Sequence, residues 1–123
     1  TLMRLTRSEI TKLGQVMADK ANKATGPTAV IVPLKGWSAY DQINGPFCCD
    51  GTGKMTKFRW HDPGTSDAFL TSFEKKIDMS KSNLEVLKID ANINDQEFAN
   101  AVAQTLLEML KEHGRREVSS DRC

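Results

Sequence analysis

The chain has 123 residues, 39% of them hydrophobic, and a formal net charge of +1 from 17 basic and 16 acidic side chains. That length holds one domain with a modest core, or part of one. The charge balance argues against broad electrostatic binding to nucleic acid or an anionic membrane, and no apolar run approaches the roughly 20 residues that cross a bilayer.

Cys48, Cys49 and Cys123 form an odd, clustered set. That is a poor disulfide framework and fits a reducing compartment. No signal peptide and no Asn-x-Ser/Thr acceptor is visible, which agrees with an intracellular protein.

Thr1–Leu5 (Thr-Leu-Met-Arg-Leu) reads as a strand. It begins with no lead-in, so a piece of a longer chain is expected. Thr6-Arg7-Ser8-Glu9 is a capping box, in which the threonine hydroxyl accepts from the backbone and the glutamate reaches back. Ile10, Leu13, Met17, Ala21 and Ala24 recur at helical spacing and predict one apolar stripe. Gly26-Pro27 stops that helix. Thr28–Leu34 is almost wholly apolar, the pattern of a strand buried on both faces.

Residues 35–62 are irregular. Asn44-Gly45-Pro46 is a turn, and Asp50-Gly51-Thr52-Gly53 is another. Beyond it Phe58 and Trp60 alternate with Lys57 and Arg59, which predicts a hairpin with one covered face, inserted at about 47–61. Asp62 caps a second helix with Pro63 at its first position. Phe69, Leu70, Phe73 and Ile77 are its buried stripe.

After a polar loop at 80–83, Leu84–Asp90 is a third strand. A third helix starts at Asn94 or Asp95, buries Phe98, Val102, Leu106 and Met109, and ends at Gly114. Residues 1–113 form the body, and 114–123 a charged, flexible tail.

The order strand, helix, strand, helix, strand, helix predicts an α/β, Rossmann-like three-layer parallel sheet with right-handed crossovers. Three strands make a small sheet. Further strands from a missing amino-terminal segment, a second domain or a partner chain are expected.

In such a sheet, ligands bind at the carboxyl ends of the strands. Three loops gather there. Their candidate ligand-binding residues are Arg4, Thr6, Lys35, Gly36, Trp37, Ser38, Asp41, Asn92, Asn94 and Asp95. Lys35 supplies charge, Gly36 close backbone approach, and Ser38 and Thr6 hydrogen bonds. A phosphate or carboxylate, as a small anionic ligand, is the natural guess.

Each residue also has a structural reading. Lys35 can be solvated, Ser38 a turn hydroxyl, and Asn92, Asn94 and Asp95 turn and cap residues. Trp37 and Tyr40 fit a core or an interface. Asp41 fits a turn better than a base, and Arg4 can face a partner. No catalytic residue is assigned.

Several motifs fail. Gly51-Thr52-Gly53-Lys54 resembles the end of a phosphate-binding loop, but Cys48 and Met55 stand where a glycine and a hydroxyl residue belong. Cys48, Cys49 and His61 lack ordinary zinc spacing, so no metal site is expected. A Cys/His nucleophile pair is weaker still, since nothing in the sequence orients the histidine. His113 suits the carboxyl end of a helix.

One longer pattern stands out. Met3-Arg4, Gly26-Pro27, Pro33-Leu34-Lys35-Gly36-Trp37-Ser38-Ala39-Tyr40-Asp41, Gly45-Pro46-Phe47, Asp62-Pro63, Asp67-Ala68-Phe69 and Ile93-Asn94-Asp95-Gln96-Glu97-Phe98-Ala99 occur in that order. Together they resemble the Tm-one-like ATP-binding family, an uncharacterised family that includes the inhibitory domain of the tomato mosaic virus resistance protein. The resemblance covers residues 1–112 and corresponds to the carboxyl-terminal part of a domain with two Rossmann-like halves. It implies ATP as a ligand, dimerisation and a cytoplasmic location.

No reaction is securely assigned to that family. Two departures matter: relatives often carry histidine where Asn92 stands, and they run almost directly from Phe47 to Asp62-Pro63. Three functions therefore stand side by side. They are a nucleotide- or phosphate-binding regulatory domain, an enzyme acting on a small anionic substrate with Asp41 or Asp95 as acid or base, and an oligomerisation module using Trp37, Phe58 and Trp60.

Overall fold

The computed structural model describes the backbone of residues 4–120 and the side chains of residues 4–112. The elements run α1 (Arg7–Lys23), β1 (Thr28–Pro33), β2 (Phe47–Cys49), β3 (Met55–Arg59), α2 (Pro63–Glu74), β4 (Leu84–Ile89) and α3 (Gln96–Ser120). β1 and β4 pair in parallel, in register from Thr28 opposite Leu84 to Pro33 opposite Ile89. β2 and β3 form a separate antiparallel pair. The molecule is therefore α/β, but its described residues form a two-stranded parallel sheet rather than a three-layer Rossmann-like one.

The expected first strand is not formed where it is described. Arg4 and Leu5 belong to no strand, and Thr1–Met3 lie outside the described residues. Arg4 is instead drawn to the start of α2, where its Nη2 donates to Asp62 Oδ2 (2.5 Å) and Thr65 Oγ1 (3.1 Å).

Local signals set the helix starts. Thr6 and Glu9 form the predicted capping box on α1, worth about 1 kcal/mol. Asp62 accepts from the Gly64 N–H and Pro63 opens α2.

The buried line of α1 is not the one its large side chains predict. It runs through Ile10, Gly14, Ala18 and Ala21, while Met17 is exposed. The small residues let α2 come close. A methyl group at Gly14 would overlap Ser72 Oγ and lie 2.7 Å from the Phe69 carbonyl oxygen. Ile10, Ala18, Val32, Phe69 and Phe73 form the core, with Leu13, Val30, Trp37 and Val86 packed around it. Phe69 and Phe73 stack with centroids 5.8 Å apart.

α3 lies against β1 and corrects two expectations. Its buried positions include Phe98 and Thr105, while Val102 and Leu106 are exposed; two strands are too narrow to cover a wider stripe. The helix also runs through Gly114 to Ser120 rather than ending at the glycine, and 121–123 lie outside the described residues. One glycine among Lys111, Glu112, Arg115 and Arg116 costs only about 1 kcal/mol. The positive φ that would make it a stop occurs, among the described residues, at Gly36 and Gly53.

The hairpin is present, but the predicted covered face is not. Met55 and Phe58 are exposed, and Trp60, just beyond β3, approaches Tyr40. Trp37, half-buried, takes the core reading on one side, where its ring packs edge-on against Phe69 at 4.5 Å.

Candidate functional site

The parallel pairing continues past the strand ends: Leu34 N–H donates to the Ile89 carbonyl (2.9 Å) and Lys35 N–H to that of Ala91 (3.0 Å). The next residue, Gly36, has φ +136°, a region essentially reserved for glycine. The chain then folds back, and Asp41 Oδ2 accepts from the Trp37 N–H at 3.0 Å.

Asn92, 4% exposed, ties this loop to the one after β4. Its Nδ2 donates to the carbonyls of Ser38 (3.1 Å) and Asp41 (3.2 Å). Its Oδ1 accepts from Asn94 N–H at 3.0 Å, and its own N–H donates to Asp95 Oδ2 at 2.8 Å. A side chain whose donors and acceptor are all used inside the protein is a brace.

Asp41 has a second partner that the sequence did not reveal. Its Oδ1 lies 2.8 Å from His61 Nδ1, with the two side chains 16% and 19% exposed. So something does orient this histidine. It is a carboxylate twenty residues earlier, fixed from the other side by the Trp37 N–H.

The pair forms part of a wall between two cavities. One, of about 420 Å³, is lined by Lys35, Gln42, His61, Ser66, Asp67, Asn92 and Asp95, among others. The other, of about 230 Å³, has Arg4, Trp37, Ser38, Asp41, Trp60 and Asp62 in its lining. Ser66 borders both, and its Oγ accepts from Trp37 Nε1 at 3.0 Å.

The predicted residues are thus divided. Lys35, Asn92 and Asp95 reach the larger cavity. Arg4, Trp37, Ser38 and Asp41 border the smaller one. Ser38 Oγ is buried without a hydrogen-bond partner. Gly36 underlies the loop, with Asn92 Nδ2 2.6 Å from where its Cβ would be. Asn94 sits behind Asn92, and Thr6 serves as the α1 cap.

Two ion pairs colour the site. Lys35 Nζ lies 2.9 Å from Asp90 Oδ2; that hydrogen bond and the carboxylate charge raise the lysine above its ordinary pKa. Burial pushes the Asp62 carboxyl up, but the Arg4 hydrogen bond and charge, with Thr65 and Arg7, hold it below the ordinary carboxylate range.

His61, Ser66 and Asp67 were missed as site residues. The available signal was their place at the start of α2, whose amino end faces the same sheet edge as Lys35. Among the described residues no His/Cys/Asp/Glu cluster is arranged to hold a metal, and no helix is long and apolar enough to cross a membrane.

A profile of the uncharacterised protein family UPF0261, C-terminal domain, matches residues 1–110. The chain belongs to this family. It is 31% identical over 111 residues to a UPF0261 protein of Clostridium tetani, covering 90% of this chain and 24% of that one. A UPF0261 protein of Rhizobium meliloti is 29% identical over 101 residues, which are 82% of this chain and 22% of that protein. The ToMV resistance protein Tm-1 of Solanum lycopersicum is 29% identical over 109 residues, 89% of this chain and 13% of that one. The family is thus the Tm-1-like one, and the chain corresponds to its carboxyl-terminal part. It spans a quarter or less of the length of these relatives.

Proposed function

We propose that this chain carries a binding site for a small anionic ligand, the phosphate end of a nucleotide such as ATP, within a protein of regulatory or partner-binding function. The observation that carries the reading is the cavity of about 420 Å³ at the carboxyl ends of β1 and β4, with Lys35, His61, Ser66 and Asn92 in its lining. Its volume falls in the range of small-molecule sites, and its place is the one where parallel α/β sheets bind ligands.

The similarity to tomato Tm-1 does not add virus resistance to the reading. The ToMV susceptible protein tm-1 of the same plant is also 29% identical, over 114 residues, so the resemblance does not separate the two forms. The dimerisation and cytoplasmic location implied by the resemblance belong to this same proposal, as does a share in the site for the preceding part of a longer protein.

Calorimetric titration with ATP and a nucleotide panel tests it, on this chain and on the longest natural polypeptide that contains it. Binding by both places the site on these loops. Binding by the long form alone places it between two halves. No binding by either refutes the reading.

A second reading, an enzyme acting on a phosphorylated or carboxylated metabolite, is favoured by the Asp41–His61 pair. Both oxygens of Asp41 are engaged and Asp95 is bonded to Asn92, so the base would be His61 rather than either aspartate. Turnover of a metabolite panel, lost on His61→Ala, supports this; no conversion of any member refutes it.

A further inference from the structure

One nitrogen of His61 has no task among the described residues. Nδ1 is bonded to Asp41 at 2.8 Å. Nε2 has no hydrogen-bond partner among the described residues, and the ring lines the larger cavity. We infer that His61 is a ligand-binding residue whose Nε2 shares a proton with an anionic oxygen of the ligand, so that binding takes up a proton from solvent. The inference rests on the anion-site reading above and says how that site manages its charge.

The charges facing the ring require such a device. From the loop after β1 the cavity receives the Lys35 ammonium, already paired with Asp90 at 2.9 Å. From α2 it receives the Asp67 carboxylate, and from the loop before α3 that of Asp95. Asp41 lies against the ring itself, and Asp62, next in the chain, is held by Arg4 and Arg7. One ammonium against two carboxylates leaves the rest of the lining net negative. An anion entering it needs one more positive charge.

Hydrogen-bond chemistry leads to the same result. Asp41 holds the tautomer with hydrogen on Nδ1, which leaves Nε2 as an acceptor in the neutral ring. A phosphate oxygen is an acceptor too. Two acceptors meet only with a proton between them, and the bound state then holds one proton more than the separate partners. No covalent bond forms or breaks, and water supplies the proton.

The test is calorimetric titration of ATP into the full-length natural protein near neutral pH. It is run in two buffers of different ionisation enthalpy, which counts the protons taken up, and is repeated with His61→Gln. Protons taken up by ATP itself cancel in the difference. The unsubstituted protein is expected to take up a large fraction of one proton more than the variant. Its affinity should fall by up to tenfold per pH unit above the titration of the site, against a flatter profile for the variant. Equal uptake by the two proteins overturns the inference while leaving the anion site standing. Absence of ATP binding by the unsubstituted protein overturns both. Should His61→Gln not fold, the ring nitrogens of His61 are followed by nuclear magnetic resonance in the unsubstituted protein. Protonation of Nε2 on adding ATP supports the inference, and an unchanged ring overturns it.

Discussion

Gly36→Ala tests whether the loop at the end of β1 is as tightly specified as its geometry indicates. At φ +136° a residue with a side chain costs about 1–3 kcal/mol. The new methyl would also overlap the Asp41 carbonyl oxygen and lie 2.6 Å from Asn92 Nδ2. Relieving that overlap separates Asn92 from the Ser38 and Asp41 carbonyls, at about 1 kcal/mol per hydrogen bond. The sum is about 3–5 kcal/mol, a large part of the roughly 5–15 kcal/mol that holds an ordinary domain together. Urea unfolding followed by circular dichroism measures it. With a slope of about 2 kcal/mol per molar, the midpoint should fall by about 2 M. A loss below about 1 kcal/mol would show that the loop relaxes freely, and the account of Asn92 as a brace would fail with it.

Asn92→Ala should cost about 2–4 kcal/mol in the same unfolding experiment, since it removes hydrogen bonds to three residues of a buried side chain. Phe73→Ala should cost about 3–5 kcal/mol, because Phe73 is fully buried and stacked on Phe69; a smaller loss would mean that α1 and α2 collapse onto the gap. Asp62, with its folded pKa lowered, contributes stability that is complete above its unfolded value near about 4 and is lost as pH falls through the folded value. The stability gap between the unsubstituted protein and Asp62→Asn, measured from pH 6 down to pH 3, should therefore close at the acid end, and a gap independent of pH would refute the assignment. Lys35→Ala should weaken ATP binding at least about tenfold in calorimetry, with unfolding little changed because the side chain is mostly exposed.

What could be read from the sequence was mostly what is decided within a few residues. The Thr6–Glu9 capping box, the Asp62-Pro63 start of α2 and the two strands Thr28–Pro33 and Leu84–Ile89 all follow from neighbouring side chains. The larger errors came from distance. His61 looked unsupported because its partner lies twenty residues away, and no local pattern announces a contact across a loop. Counting large apolar residues chose Met17 over Gly14 and Ala18 on α1. Helix contact favoured the small residues, which allow close approach of α2. Gly114 was read as a terminator from its identity alone, although its neighbours are good helix formers. Lys35, Asn92 and Asp95 were expected together at one sheet edge and line one cavity there, while the partition into two cavities depends on how Trp37 and Asp41 pack.

Pro33 has a consequence for access to the larger cavity. The N–H groups of Thr28 and Leu34 both point toward β4, so by the alternation of a strand those of Val30 and Val32 do as well, and Ala29 and Ile31 point away. Pro33 falls in that outward phase and has no N–H to offer. Any strand laid along the free flank of β1 therefore meets its last donor at Ile31, two residues short of the strand's end. The imino acid acts as a stop on lateral pairing two residues before Lys35, so whatever approaches the cavity mouth from that flank does so without a continued backbone ladder.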